Sequence, residues 1–274
     1  QVFVGVGSDD VLSMCFLTFF NGKKPVLFPD ITYSFYSVWA DLYRIPYEKQ
    51  KLDDNMKIVP EDYYKENGGV IFPNPNAPTG LLMDLDSVRD IIEHNKDVVV
   101  IVDEAYIDFG GVSAKDLVNE YDNVLVVQTF SKSRSMAGMR IGYAFGSKEL
   151  IKALNDVKFS FNSYTMNMTS IDMGVASIND KKYFEECVER ITATRERTKE
   201  ELTKLGFTFP DSKANFIFAT HKSVPAKEIF EKLKDLNIFV RYFAQPGIDN
   251  YLRITIGTDE QMDKLISALS EIVG

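Results

Sequence analysis

The chain has 274 residues, 45% of them hydrophobic and 26% charged, with a formal net charge of -9. That length and composition fit a folded enzyme with a sizeable core, and two domains are expected. The acidic balance argues against a nucleic-acid or anionic-membrane surface but leaves room for a local basic pocket. No apolar run reaches the roughly 18 residues that a membrane-spanning helix needs.

Residues 2–6 read as a strand, 10–20 as a buried helix and 25–28 as a second strand. Residues 36–42 look helical, 70–72 form a short apolar strand before an Asn/Pro loop, and 85–94 an amphipathic helix. The β-branched run 97–102 ends at Asp103, the strand 124–129 stops just before Ser131-Lys132, and 141–145 returns to the sheet. Strands alternating with helices indicate an α/β fold with a mainly parallel central sheet. Ligands of such sheets bind just past the carboxyl ends of the strands.

The charged, periodic run 181–204 reads as one long helix whose arginines and glutamates form a solvated face. Strand 215–219, helix 226–236, strands 238–242 and 252–256 and a closing helix from Asp259 follow, a smaller α+β domain. The boundary is expected within 160–182, along a connecting helix, giving a large domain over 1–170 and a small one over 171–274. Cys15 and Cys187 read as free thiols in a reducing cytosol. The chain opens on a buried strand without an initiating methionine, so a preceding N-terminal segment is expected in the parent protein.

Three segments carry chemistry together. Thr129-Phe130-Ser131-Lys132 continues to Arg140, eight residues beyond the lysine. An amine, a hydroxyl and a guanidinium fork so placed are what a pyridoxal phosphate site needs: a Schiff-base lysine and groups for the phosphate. Asp103-Glu104-Ala105-Tyr106 follows a hydrophobic strand. A carboxylate there can keep a pyridine nitrogen protonated, and a phenol can hydrogen-bond the ring oxygen. Asn74-Pro75-Asn76-Ala77-Pro78-Thr79-Gly80 supplies the third loop. Gly5-Val6-Gly7-Ser8-Asp9-Asp10 joins a strand to a helix N-terminus, which serves a phosphate or is simply a capped turn. The two histidines, His94 and His221, lie at a helix end and beside a loop lysine, and no Cys/His cluster has zinc spacing.

These segments resemble fold-type I pyridoxal phosphate enzymes of the aminotransferase superfamily, and among them the histidinol-phosphate aminotransferases. The resemblance runs from Gly7-Ser8-Asp9 to Leu252-Arg253-Ile254-Thr255-Ile256-Gly257 and includes Pro29-Asp30-Ile31-Thr32-Tyr33-Ser34-Phe35-Tyr36. It implies that Lys132 is the Schiff-base lysine, that Asp103 partners the pyridine nitrogen, that Tyr106 contacts the ring oxygen and that Tyr33 stacks on the ring. The Ser8 and Asp9 amides after Gly7, the Ser131 hydroxyl and Arg140 would bind the cofactor phosphate. One departure stands out: the family usually has asparagine immediately before Pro-Thr-Gly, and here that residue is Ala77. Asn76, one position earlier, is the expected substitute, or Tyr106 acts alone.

Arg241 and Arg253 are implied to bind the substrate's phosphate and, in the second half-reaction, the carboxylate of glutamate. Asn162 is a further candidate for substrate contact, or a loop hydrogen bond. The implied activity is ping-pong transamination of histidinol phosphate with glutamate/2-oxoglutarate in a cytoplasmic homodimer. A decarboxylase of a phosphorylated amino acid, an aromatic amino-acid aminotransferase and a noncatalytic binding module are the alternatives.

Overall fold

The computed structural model describes residues 1–274. Its first part holds β1 (Val2–Gly5), α1 (Ser8–Phe19), β2 (Val26–Pro29), α2 (Phe35–Tyr43), β3 (Tyr47–Gln50) and β4 (Gly69–Pro73). Then come α3 (Leu85–His94), β5 (Val100–Asp103), β6 (Val124–Thr129), β7 (Gly142–Gly146), α4 (Lys148–Phe161) and α5 (Met168–Asn179). The remainder is α6 (Lys181–Lys204), β8 (Phe207–Thr208), β9 (Phe216–His221), α7 (Ala226–Asp235), β10 (Arg241–Tyr242), β11 (Leu252–Thr255) and α8 (Asp259–Val273).

The larger sheet has the order β1-β7-β6-β5-β4-β2-β3. Strands β6, β5, β4, β2 and β3 run parallel, and β7 is antiparallel to both β6 and β1. Every residue of β4 and β5 is buried, as strands covered on both faces require. Val11, Phe16, Tyr36 and Leu154 from α1, α2 and α4 cover one face; Val88 and Ile91 of α3, with Leu117, cover the other. The Asp84 carboxylate starts α3 by accepting from the Ser87 N–H at 2.8 Å, a cap worth about 1 kcal/mol. No helix is long and apolar enough to cross a membrane.

The smaller sheet, β10-β11-β9-β8, is antiparallel throughout. Leu202 of α6, Ile229 and Leu233 of α7 and Leu265 and Leu269 of α8 pack against it. A parallel sheet between helices with a smaller antiparallel sheet beyond it is the α/β plus α+β architecture expected from the sequence.

Three elements escape the sequence reading. Strand β3 is Tyr47-Glu48-Lys49-Gln50, a mostly polar edge strand paired in parallel with β2 and anchored by Tyr47 stacked on Phe28. Helix α4 fully buries only Ile151 and Leu154, too narrow a stripe to stand out. Strand β8 has two residues. Helix α5 falls in the window expected for the connecting helix and α6 matches the long helix expected over 181–204, with Asp180 between them. The charges of α6 also need correction, because Arg195 and Lys199, one turn apart, are 4% and 8% exposed. Arg195 Nη1 donates to the Phe109 and Ala214 carbonyls, each at 2.8 Å, and Lys199 Nζ reaches Asp211 Oδ1 at 2.7 Å. These backbone acceptors come from loops remote in sequence, which helical periodicity cannot reveal.

Candidate active site

The parallel strands end in register: Pro73 of β4 lies beside Asp103 of β5, which lies beside Val127 of β6. Asp103 is the last residue of its strand, and Ser131-Lys132 follow β6 after one residue, Phe130. On the other side, α1 begins at Ser8 without a side-chain cap, its N-cap being Gly7 at φ 95. A Cβ on Gly7 would stand 2.3 Å from Arg140 Nη2, so glycine there serves both the backbone turn and the approach of the guanidinium. Between these ends lies a cleft of about 260 Å³. Of the residues singled out from sequence, Ser8, Asp9, Tyr33, Asp103, Tyr106, Ser131, Lys132, Arg140 and Arg253 line it.

The cleft has two electrostatic ends. One holds the open N-terminus of α1, the Ser131 hydroxyl and Arg140, whose Nη1 donates to the Ala137 carbonyl at 3.0 Å. Unpaired N–H groups, the positive end of the helix dipole and a guanidinium together make an anion site. The other end holds Asp103. The Tyr36 hydroxyl donates to its Oδ2 at 2.8 Å and the Ala105 N–H to its Oδ1 at 3.2 Å. Burial raises the carboxyl to about 6, although both hydrogen bonds favour the ionised form. A cation brought against Asp103 would keep it ionised at neutral pH.

Lys132 Nζ stands 5.4 Å from the centre of the Tyr106 ring and makes no hydrogen bond or ion pair, which leaves its amine available. The Tyr33 hydroxyl donates to Asp9 Oδ1 at 2.8 Å, and its ring meets Tyr36 edge-on at 5.7 Å. Arg253 reaches the cleft from β11, and its Nε is buried with no hydrogen-bond partner. Arg241 lies directly opposite on β10, and neither arginine has an ion-pair partner. Like charges facing each other across an antiparallel pair are destabilising unless an anion lies between them. Both line an adjoining cavity of about 470 Å³, which shares Tyr33, Ala77 and Arg253 with the cleft.

Two candidates are not brought in. The Asn76 Oδ1 accepts from Thr32 Oγ1 and its Nδ2 donates to the Ile31 carbonyl, both at 3.0 Å. Its amide is thus spent on holding the loop before α2, and Ala77, not Asn76, borders the cleft. Asn162 is an exposed residue at the end of α4 and lines neither cavity. Sequence reasoning in turn missed Tyr36 as the partner of Asp103. A polar atom on an otherwise apolar helix face was the available signal.

Glu104 also gained no role from sequence. Its Oε2 accepts from Ser113 Oγ at 2.5 Å and Gln128 Nε2 at 2.7 Å, and its Oε1 from the Ala114 N–H at 2.6 Å. Burial nevertheless raises this carboxyl to about 7. Asp103 and Glu104 both stand above their ordinary values of 3.8 and 4.5, so the native state binds their protons more tightly than the unfolded chain. The stability they add is therefore full below about pH 4 and is lost as pH rises through about 6 and about 7. In cofactor-free protein, Glu104→Gln should flatten the fall in melting temperature from pH 5 to pH 8, removing on the order of 3 kcal/mol of pH dependence. An unchanged slope would exclude Glu104 as its source.

Comparison with known proteins accords with this geometry. The family model for aminotransferase class I and II matches residues 1–269. A histidinol-phosphate aminotransferase of Clostridium beijerinckii is 53% identical over 273 residues, covering 100% of this chain and 76% of that relative. The chain belongs to the class I and II aminotransferases, in the histidinol-phosphate aminotransferase family. This aminotransferase also shares its fold with solved structures. The histidinol-phosphate aminotransferase of Clostridium acetobutylicum matches with a TM-score of 0.91 at 24% identity, over 99% of this chain and 83% of that one. That of Sinorhizobium meliloti, solved in complex with pyridoxal-5'-phosphate, matches with a TM-score of 0.90 at 21% identity, over 99% of this chain and 76% of that one.

Proposed function

We propose that the chain is a pyridoxal phosphate-dependent aminotransferase that takes the amino group from histidinol phosphate and passes it to 2-oxoglutarate, in histidine biosynthesis. The observation that carries this reading is the pairing of a free amine, Lys132, with a buried carboxylate and an open anion site in one cleft. The residues fit the cofactor: the uncapped start of α1, Ser131 and Arg140 suit its phosphate, and Asp103 suits a protonated ring nitrogen. When bound, pyridoxal phosphate supplies an aldehyde carbon that accepts the amino group and a ring that draws charge from the carbon losing its proton.

Lys132 Nζ would hold the cofactor covalently at rest. Once displaced by the substrate amine, the free Lys132 amine would serve as the general base that takes the proton from the substrate carbon and, as its conjugate acid, gives it back on the far side of the amino nitrogen. Asp103 would stay ionised against a protonated ring nitrogen, and the Tyr106 hydroxyl would serve the ring oxygen with no asparagine beside it. Tyr33 would pack against the ring, and its bond to Asp9 fixes it to the start of α1. Arg241 and Arg253 receive the substrate phosphate in one half-reaction and the dicarboxylate in the other.

Residues 1–170 would carry the cofactor and 171–274 the smaller domain that closes on the substrate. We also infer a homodimer, as in the family, and a cytoplasmic location, in keeping with two unpaired cysteines.

An absorbance spectrum of the cofactor-loaded protein tests the reading. Histidinol phosphate should abolish the band of the covalently held cofactor, and 2-oxoglutarate should restore it. Release of carbon dioxide without that cycle would transfer the assignment to a decarboxylase; no covalent band would indicate a noncatalytic module. Preference for an aromatic amino acid over histidinol phosphate in kcat/KM would change the substrate alone. Within the site, Arg253→Lys keeps the charge but loses the fork, and KM for histidinol phosphate should rise about ten- to a hundredfold with cofactor retention unchanged. Steady-state kinetics with an unmoved KM would exclude Arg253 as the anion ligand.

A further inference from the structure

The proposed cofactor residue Tyr106 and the proposed substrate residue Arg253 have one neighbour in common. Phe216, the first residue of β9, is 1% exposed and belongs to a small buried cluster with Ala77 and Ala214, against which Tyr106 packs. Its ring meets that of Tyr106 at 5.1 Å and 88°. The guanidinium carbon of Arg253 lies 5.2 Å from the centre of the same ring. Neither Tyr106 nor Arg253 makes a side-chain hydrogen bond or ion pair within the protein, so their directions are set by packing. The buried Arg195 joins the two backbones as well, donating to Phe109, three residues after Tyr106, and to Ala214, two before Phe216.

We propose that Phe216 is a positioning residue that orients Tyr106 and Arg253 together, so that anion binding and the alignment of the ring-oxygen donor depend on one side chain. The inference rests on the roles assigned above to Tyr106 and Arg253. The physical basis is the quadrupole of the phenyl ring: it offers a negative face to a guanidinium and favours an edge-to-face aromatic neighbour. No hydrogen bond or ion pair competes with that ring for either side chain. The Ser212 hydroxyl, donating to the Phe216 carbonyl at 2.6 Å, and the pairing of Phe216 with Thr255 hold the strand bearing the ring. Phe216 itself makes no contact with reacting atoms; it acts through its two neighbours.

Double-mutant cycles test this. The variants are Phe216→Leu, Arg253→Gln and Tyr106→Leu, with the two doubles containing Phe216→Leu. Each is measured for kcat/KM with histidinol phosphate and for the dissociation constant of pyridoxal phosphate. Phe216→Leu should lower kcat/KM about tenfold in the parent but by less than about threefold beside Arg253→Gln. It should weaken cofactor retention several-fold in the parent and little beside Tyr106→Leu. Equal effects of Phe216→Leu in parent and variant backgrounds would overturn the proposal, since a merely structural role would add independently. Should leucine prevent folding, pentafluorophenylalanine at position 216 keeps the shape while reversing the ring quadrupole. It should lower kcat/KM in the parent alone, and an unchanged kcat/KM would equally overturn the proposal. If Arg253→Gln and Tyr106→Leu are themselves without effect, the site assignment fails and takes this inference with it. If they matter and the Phe216 effects simply add, only the inference fails.

Discussion

Lys132→Ala should abolish covalent retention of pyridoxal phosphate and lower turnover by at least about four decades. The variant loses both a covalent anchor and a proton carrier, two roles that no neighbouring group can assume. The Tyr106 ring centre lies 5.4 Å from Nζ, and no second amine lines the cleft. The fold should be indifferent to the change. Lys132 is half-buried and makes no hydrogen bond or ion pair, so its removal strands no partner, and the stability of cofactor-free protein should move by less than about 1 kcal/mol. Gel filtration after cofactor loading separates covalent from noncovalent binding, and stopped-flow mixing with histidinol phosphate measures the chemical step. Partial recovery on adding a small primary amine would show that the lost function is that of a base. Transamination near the parent's rate would sink the assignment of Lys132.

The second large effect is expected for Asp103→Asn, a loss of about three decades in kcat with cofactor still bound. The amide is isosteric and keeps one local hydrogen bond as it stands, its oxygen accepting from the Ala105 N–H; its NH2 can only donate to the Tyr36 hydroxyl, which must turn its own proton away. What it cannot do is hold a proton on a ring nitrogen, because it carries no charge. A purely structural role for Asp103 would leave kcat within tenfold, and that result would refute the assignment. The substitution should also remove one of the two raised carboxyls near the strand ends. Cofactor-free Asp103→Asn should therefore lose less stability than the parent as pH rises through about 6. A thermal melt series resolves this apart from the kinetics.

Much of this protein was determined locally. The apolar runs of β4, β5 and β6 need no partner to be recognised, because strands buried on both faces have nowhere to place a polar side chain. The turns that follow them must then carry the chemistry, and Asp103, Tyr106, Ser131 and Lys132 were legible there for that reason. Gly7 and Arg140 were legible as residue types suited to a phosphate. Their mutual approach, with no room for a Cβ between them, came only from the packing of β1 against β7.

Contacts between distant segments were decided by tertiary structure alone. Tyr36 and Asp103 are 67 residues apart, and no periodicity links a helix side chain to the end of a strand two positions across the sheet from β2. Asn76 was the natural substitute for the missing asparagine by sequence distance, yet the turn aims its amide at Thr32 and Ile31. Arg195 sits in a helix whose composition reads as solvated, and it is buried because loops from both sheets offer it carbonyls. Phe216 lies in an apolar strand, and only the smaller sheet carries it against both Tyr106 and Arg253. Side-chain patterns report which face of an element leaves water. Which groups meet there depends on how the elements cross, and that is settled by the packing of the whole chain.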